Sequence, residues 1–187
     1  MNFYEEKKLY FQEIYWEKAK GDILAVNGLQ NGTQDLETKG EVLLREITRG
    51  GKILDLWCGN GLLLKILIKK SPYTFIPFWV DFLEESIFQA QKKIHPEFQN
   101  NFFIENVVFW ETQQSFDYII LDPETARDRD IETLYIKYKK ILSAHGKMIW
   151  FITPDSIQRL QEREKTLPFL NKIWTKKFYR NMQYYLS

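Results

Sequence analysis

Four polar residues, each at or just past the end of an apolar run, stand where this chain could do chemistry. Asp55 opens the turn Asp55-Leu56-Trp57-Cys58-Gly59-Asn60-Gly61, and Asp81 ends Trp79-Val80-Asp81-Phe82. Asn106 follows Ile104-Glu105, and Asp122 ends the run FDYIIL over 116–121. Gly59 and Gly61 carry no Cβ, so a ligand can approach their backbone closely. Asn60 is placed to cap a helix whose free N–H groups would face a carboxylate or phosphate. A carboxylate some twenty residues past such a turn can accept hydrogen bonds from ribose hydroxyls. Asp122 could orient or deprotonate an amine or hydroxyl, and it is the candidate catalytic residue.

The elements that must position these residues alternate. Residues 52–57 (KILDLW) form an apolar run between Gly51 and Gly59, which suits a buried parallel strand. A Leu-rich helix over 60–70 follows, then a strand over 75–80 and a helix over 83–94 that stops before Pro96. Further strands are expected over 101–104, 116–121 and 147–152, with helices over 130–142 and 154–164. Residues 172–178 and 182–186 alternate as a hairpin around Arg180-Asn181. Ahead of this array lie an amphipathic helix over 3–19, its stripe made of Phe3, Lys7, Tyr10 or Phe11, Ile14 and Lys18, a Gly/Asn/Gln-rich loop, and a helix over 35–48. The expected fold class is α/β: a doubly wound, mostly parallel seven-stranded sheet with an antiparallel C-terminal hairpin and N-terminal helices.

Two cofactor classes compete for the first turn. A dinucleotide fingerprint needs Gly-x-Gly-x-x-Gly; with its middle glycine on Gly59, Trp57 and Leu62 occupy the other two places. The turn instead resembles the first motif of class I S-adenosylmethionine-dependent methyltransferases, Asp-x-Gly-x-Gly-x-Gly, with Asp55, Gly59 and Gly61 matching and Trp57 in place of the first glycine. VDFLEESIFQAQKK over 80–93 resembles the family's second motif. Asn106 falls where the family carries an acidic residue that accepts from the adenine amine, and an amide carbonyl can accept the same bond. FDYIILD over 116–122 and ILSAHGKMIW over 141–150 resemble the fourth motif and the entry to the fifth strand. The resemblance spans about residues 50 to 152.

It implies a Rossmann-like fold over 50–187, with 1–49 as N-terminal helices that cover the site, all within one domain. It also implies S-adenosylmethionine as cofactor, held by Asp55, Trp57, Cys58, Gly59, Asn60, Gly61, Asp81, Phe82, Asn106, Val107 and Leu121. No metal site is expected: the chain has one cysteine and two histidines. Cys58 reads as a small packing residue, since free cysteines are commonly buried. His145 shapes the turn before the fifth strand. His95 closes a helix, where positive charge suits the dipole. Arg127-Asp128-Arg129-Asp130 solvates the start of a helix.

The methyl acceptor is less constrained. Asp122-Pro123 resembles the Asp-Pro-Pro-aromatic motif of methyltransferases acting on base amines, but Glu124 and Thr125 replace the second proline and the aromatic. Residues 139–187 carry +7 and residues 1–138 carry −6. Such a basic segment could meet nucleic acid, or could simply neutralise the acidic part. A small-molecule acceptor is favoured, with a nucleic-acid methyltransferase and a catalytically inactive binding protein as alternatives. No apolar run reaches membrane-spanning length and the first residues are acidic and aromatic, so a cytoplasmic protein is expected.

Overall fold

The computed structural model describes residues 2–18, 33–122, 126–152, 175–179 and 182–186. The elements are α1 (Phe3–Lys18), α2 (Thr33–Glu46), β1 (Gly51–Leu56), α3 (Leu62–Lys70), β2 (Phe75–Asp81), α4 (Glu84–Gln89), β3 (Phe102–Ile104), β4 (Phe116–Leu121), α5 (Asp128–Lys139), β5 (Leu142–Ile152), β6 (Thr175–Tyr179) and β7 (Met182–Leu186). The seven strands form one sheet in the order β3-β2-β1-β4-β5-β7-β6. β1 to β5 pair in parallel, and β7 runs antiparallel between β5 and β6. The chain winds outward from β1 to β2 and β3, then returns to place β4 on the other side of β1. Asp55 and Asp122 flank that reversal, where a doubly wound sheet opens a crevice at its carboxyl edge.

Strand alternation divides the core. Leu54, Leu56, Phe78, Val80, Ile119, Leu121, Met148 and Trp150 face one side, where Ile131, Leu134, Tyr135 and Tyr138 of α5 cover them. Ile53, Trp79, Tyr118, Ile120, Ile149 and Phe151 face the other, against Val42, Leu43, Leu64, Leu67, Ile87 and Ala90. Burial on both faces explains why these strands read as continuous apolar runs.

Three local readings change. The helix expected over 83–94 is α-helical to Gln89 and then widens into a π turn, Ala90–Ile94, closed by the His95 amide on the Ala90 carbonyl at 2.8 Å. The wide turn brings His95 inward, fully buried, rather than leaving it at a solvated helix end. Burial lowers the imidazole's pKa, so it is neutral and gains nothing from the dipole.

Ala144-His145-Gly146 is not a turn before β5 but lies within that strand. Five steps along β5, from Leu142 to Lys147, oppose two along β4, from Phe116 to Tyr118. Gly146 permits this bulge, because a Cβ there would stand 2.9 Å from the Phe116 carbonyl oxygen. The helix expected over 154–164, the loop after α1, the Arg180-Asn181 turn and Pro123-Glu124-Thr125 lie outside the described residues.

Candidate active site at the carboxyl edge of the sheet

β1 delivers Asp55 and Leu56 to the edge, and the chain then turns on three left-handed residues: Trp57 at φ 57°, Gly59 at 54° and Gly61 at 76°. Glycine adopts this region freely, whereas Trp57 adopts it against steric cost, of order 1–2 kcal/mol. Trp57 therefore keeps the backbone shape that a glycine would give, and its ring packs against the α5 side of the core. Its indole Nε1 is buried with no hydrogen-bond partner among the described residues. The turn is pinned to β2, with the Trp57 and Cys58 amides donating to the Val80 carbonyl at 2.9 and 3.3 Å.

Asn60 does not cap the helix as expected. Gly61 takes the N-cap position of α3, and the Asn60 side chain is fully buried. Its carbonyl accepts weakly from the Leu62 amide at 3.4 Å, and its NH2 donates to Gln89 at 3.2 Å. Asn60 thus fastens the turn to α4. His95 supports the same turn from beneath, with Nε2 donating to the Gly61 carbonyl at 3.1 Å and its ring 4.4 Å from that of Trp79. Cys58 is buried and burial pushes its thiol pKa up, which leaves it a packing residue.

Asp81 organises the second wall. Oδ2 accepts from the Gly59 amide and Oδ1 from the Leu83 amide, both at 2.8 Å. Burial raises this carboxyl to about 6, with the bonds from Leu83, Gly59 and Phe82 opposing the rise. With three backbone donors, the carboxylate retains one of its four lone-pair sites for a further donor. Asn106 uses its side-chain oxygen to accept from the Val108 amide at 2.9 Å, an Asx turn that fixes the chain after β3. Phe82, Ile104, Glu105, Asn106 and Phe109 line a pocket of about 290 Å³ whose far wall is the start of α1: Asn2, Tyr4, Glu5 and Lys8.

Around the centre of the edge three carboxylates converge. Asp55 is 3% exposed, and its Oδ2 has no hydrogen-bond partner among the described residues. Burial raises its pKa to about 8, with Lys39 lowering it and Asp81 and Asp122 raising it. Asp122, just past the end of β4, is paired: Lys39 Nζ donates to its Oδ2 at 3.0 Å. Nothing in the spacing of the edge residues pointed to Lys39, which arrives from α2, before the first motif.

A second contact that sequence reasoning missed holds α1 in place. The Tyr4 hydroxyl donates to Asp130 Oδ2 at 2.6 Å, and Arg127 Nε donates to the same oxygen at 2.7 Å. The Arg127 guanidinium also lies 5.0 Å above the Tyr4 ring. Arg127 and Asp130 therefore do more than solvate a helix start; they clasp the N-terminal helix. Phe11, not the exposed Tyr10, takes the inward position and packs 6.1 Å from Phe82.

The arrangement fits a cationic nucleoside: left-handed backbone leaves the turn open, an orphaned buried carboxylate oxygen calls for a donor, and Asp81 can still accept from hydroxyls. The model of one family, described as "Methyltransferase small domain", matches residues 26–165. This chain belongs to that family. It is a class I S-adenosylmethionine-dependent methyltransferase, and S-adenosylmethionine is its cofactor. No curated protein matches it.

Solved structures share the methyltransferase's fold. A Haemonchus contortus phosphoethanolamine N-methyltransferase in complex with phosphoethanolamine and S-adenosylhomocysteine has a TM-score of 0.65 at 16% identity. The match covers 81% of this chain but only 32% of that one. Magnesium protoporphyrin IX methyltransferase from Synechocystis PCC 6803 with bound S-adenosylmethionine scores 0.66 at 13% identity, covering 100% and 96%. Ribosomal protein L11 methylase from Lactobacillus delbrueckii subsp. bulgaricus scores 0.55 at 14% identity, covering 82% and 76%. Among the described residues of the methyltransferase no helix is long and apolar enough to cross a membrane.

Proposed function

We propose that the methyltransferase acts on a small-molecule acceptor held beside Asp122, with residues 1–49 as a cover and 50–187 as the catalytic core of one domain. The observation that carries this reading is that three of the five described cations of the basic segment bond to the protein's own acceptors. Lys177 donates to both carboxylate oxygens of Glu46 at 2.9 and 3.0 Å, Lys147 to the Glu46 carbonyl at 2.9 Å, and Lys139 to the Tyr135 hydroxyl at 2.7 Å. Cations committed to the protein's own acceptors are poorly placed to replace counterions on a phosphate backbone. The names of similar proteins point to small-molecule acceptors, phosphoethanolamine and a magnesium porphyrin, and to a ribosomal protein and rRNA, so the choice rests on the charge rather than on the neighbours. The single, buried cysteine accords with a cytoplasmic protein.

In this reading Asp81 accepts from ribose hydroxyls, Phe82, Asn106 and Val107 flank the base, and the turn from Trp57 to Gly61 lies along the amino-acid portion. Cys58 and Asn60 shape that turn from within, and Leu121, the last residue of β4, forms its floor. Asp55 offers its unpaired oxygen to an ammonium. The bound cofactor supplies a methyl group on a sulfonium, open to in-line displacement. Asp122, already committed to the Lys39 ammonium, orients the acceptor rather than taking its proton. Much of the acceleration then comes from holding the acceptor at near-attack distance, worth at best about 7–11 kcal/mol. The test is transfer of labelled methyl from S-adenosylmethionine to pools of amines, hydroxy compounds, tRNA and rRNA. Label in the small-molecule pools alone supports the reading, and label in RNA alone overturns it.

A further inference from the structure

Lys39 links α2 to the carboxylates of the crevice, and it is only 6% exposed. An ammonium is seldom taken out of water this far unless it is paired. Its partner is Asp122, at 3.0 Å. The ammonium also lies 5.6 Å above the Phe151 ring on the neighbouring strand, a favourable place for a cation with little water around it. Gly40 makes this delivery possible. A Cβ at Gly40 would stand 2.7 Å from Ile66 Cγ2, so α2 can press against α3 at that turn and carry Lys39 to the edge.

We propose that Lys39 is a positioning residue that holds Asp122 across the mouth of the crevice and keeps Asp55 ready to receive a cationic ligand. The proposal rests on the methyltransferase reading of the site and adds to it a residue outside the motif stations. Among the described residues, the charged groups that act on Asp55 are Lys39 from α2, Asp81 from β2 and Asp122 after β4. The buried Cys58 thiol stands in the turn above. Two of these three repel an ionised Asp55, and Lys39 offsets them. Without Lys39 the unpaired oxygen of Asp55 would more often carry a proton and could not accept from an ammonium.

The experiment is a carbon-13 NMR titration of aspartate carboxyls in the cofactor-free protein, with Asp55→Asn to assign the signal. It is run on wild type, Lys39→Met and Lys39→Arg. Lys39→Met should raise the Asp55 midpoint by about one pH unit, and Lys39→Arg should leave it in place. In parallel, affinity for S-adenosylmethionine at neutral pH should fall roughly tenfold in Lys39→Met and recover at higher pH. An Asp55 midpoint that stays put in a folded Lys39→Met protein would overturn the proposal, and so would a lost affinity that high pH does not restore. Should Lys39→Met fail to fold, Asp122→Asn gives the opposite displacement, downward, and no displacement there also overturns it. Wild-type protein that fails to bind S-adenosylmethionine would instead sink the parent reading, while the titration still judges the role of Lys39 toward Asp55.

Discussion

The amide of Gly59 donates a 2.8 Å hydrogen bond to Oδ2 of Asp81, joining two stations that lie 22 residues apart in sequence. Its other oxygen takes the Leu83 amide, so one carboxylate holds both the glycine turn and the entry to α4. An acid at this place therefore supports the turn as well as any ribose. Asp81→Asn should weaken cofactor affinity by about 1.5–3 kcal/mol, because an amide presents a donor to one of two N–H groups. Calorimetry measures this directly, and unchanged affinity would remove Asp81 from the ribose role.

Asp55 makes stability depend on pH with a sign opposite to that of an ordinary salt-bridged carboxylate. Burial lifts its native pKa to about 8, above its ordinary value of 3.8, so between the two the native state keeps a proton that the unfolded chain has released. Stability from this group is highest at low pH and falls as pH rises toward about 8. Asp81 acts in the same direction up to about 6. Asp55→Asn should therefore raise the melting temperature more at about pH 9 than at about pH 5. A constant difference across that range would contradict the burial argument.

The strand edges and most of the glycine turn were legible because their determinants are local: apolar runs bounded by glycine, and a polar residue at or just past the ends of β1 to β4. Asn60 and His95 were read one interaction short. Their side chains are consumed by Gln89 and by the Gly61 carbonyl, partners fixed only by the packing of α4 and its π turn. Lys39 and the Tyr4–Arg127–Asp130 clasp carry no local signal at all. A lysine on a helix face reads as solvated until Gly40 brings that face against α3. The bulge around Gly146 was hidden for a similar reason, since a strand with extra residues and a turn look alike in composition.

Gly61 has a demand that can be measured. It sits at φ 76°, and a Cβ would stand 3.1 Å from Trp79 Nε1 and 3.4 Å from the His95 ring. Gly61→Ala should destabilise the fold by about 1–2 kcal/mol through the left-handed backbone alone. It should also weaken cofactor binding, because relief requires His95 and the turn to shift. Denaturant titration reads the first effect, and a variant as stable as wild type would contradict it.

The clasp on α1 predicts a rate effect. Burial and the bond to Asp130 push the Tyr4 hydroxyl up to about 12, so it stays a donor throughout the neutral range. Burial alone would raise the Asp130 carboxyl, but the bonds from Tyr4 and Arg127 outweigh it and hold it below the usual range. Tyr4→Phe keeps the ring that lines the pocket and removes only the bond, at a cost of about 1 kcal/mol after allowance for solvent. Cofactor exchange should then speed up several-fold in both directions, measured by stopped-flow fluorescence. Unchanged rates would mean that α1 does not cover the bound cofactor.

The central claim is that the crevice bounded by Asp55, the turn through Gly61, Asp81 and Asn106 binds S-adenosylmethionine. Calorimetric titration of the purified protein with S-adenosylmethionine and S-adenosylhomocysteine tests it most directly. Wild type should bind saturably and one to one in the micromolar range, and Gly59→Val should not bind. A wild-type protein that takes up neither ligand at millimolar concentration would contradict it.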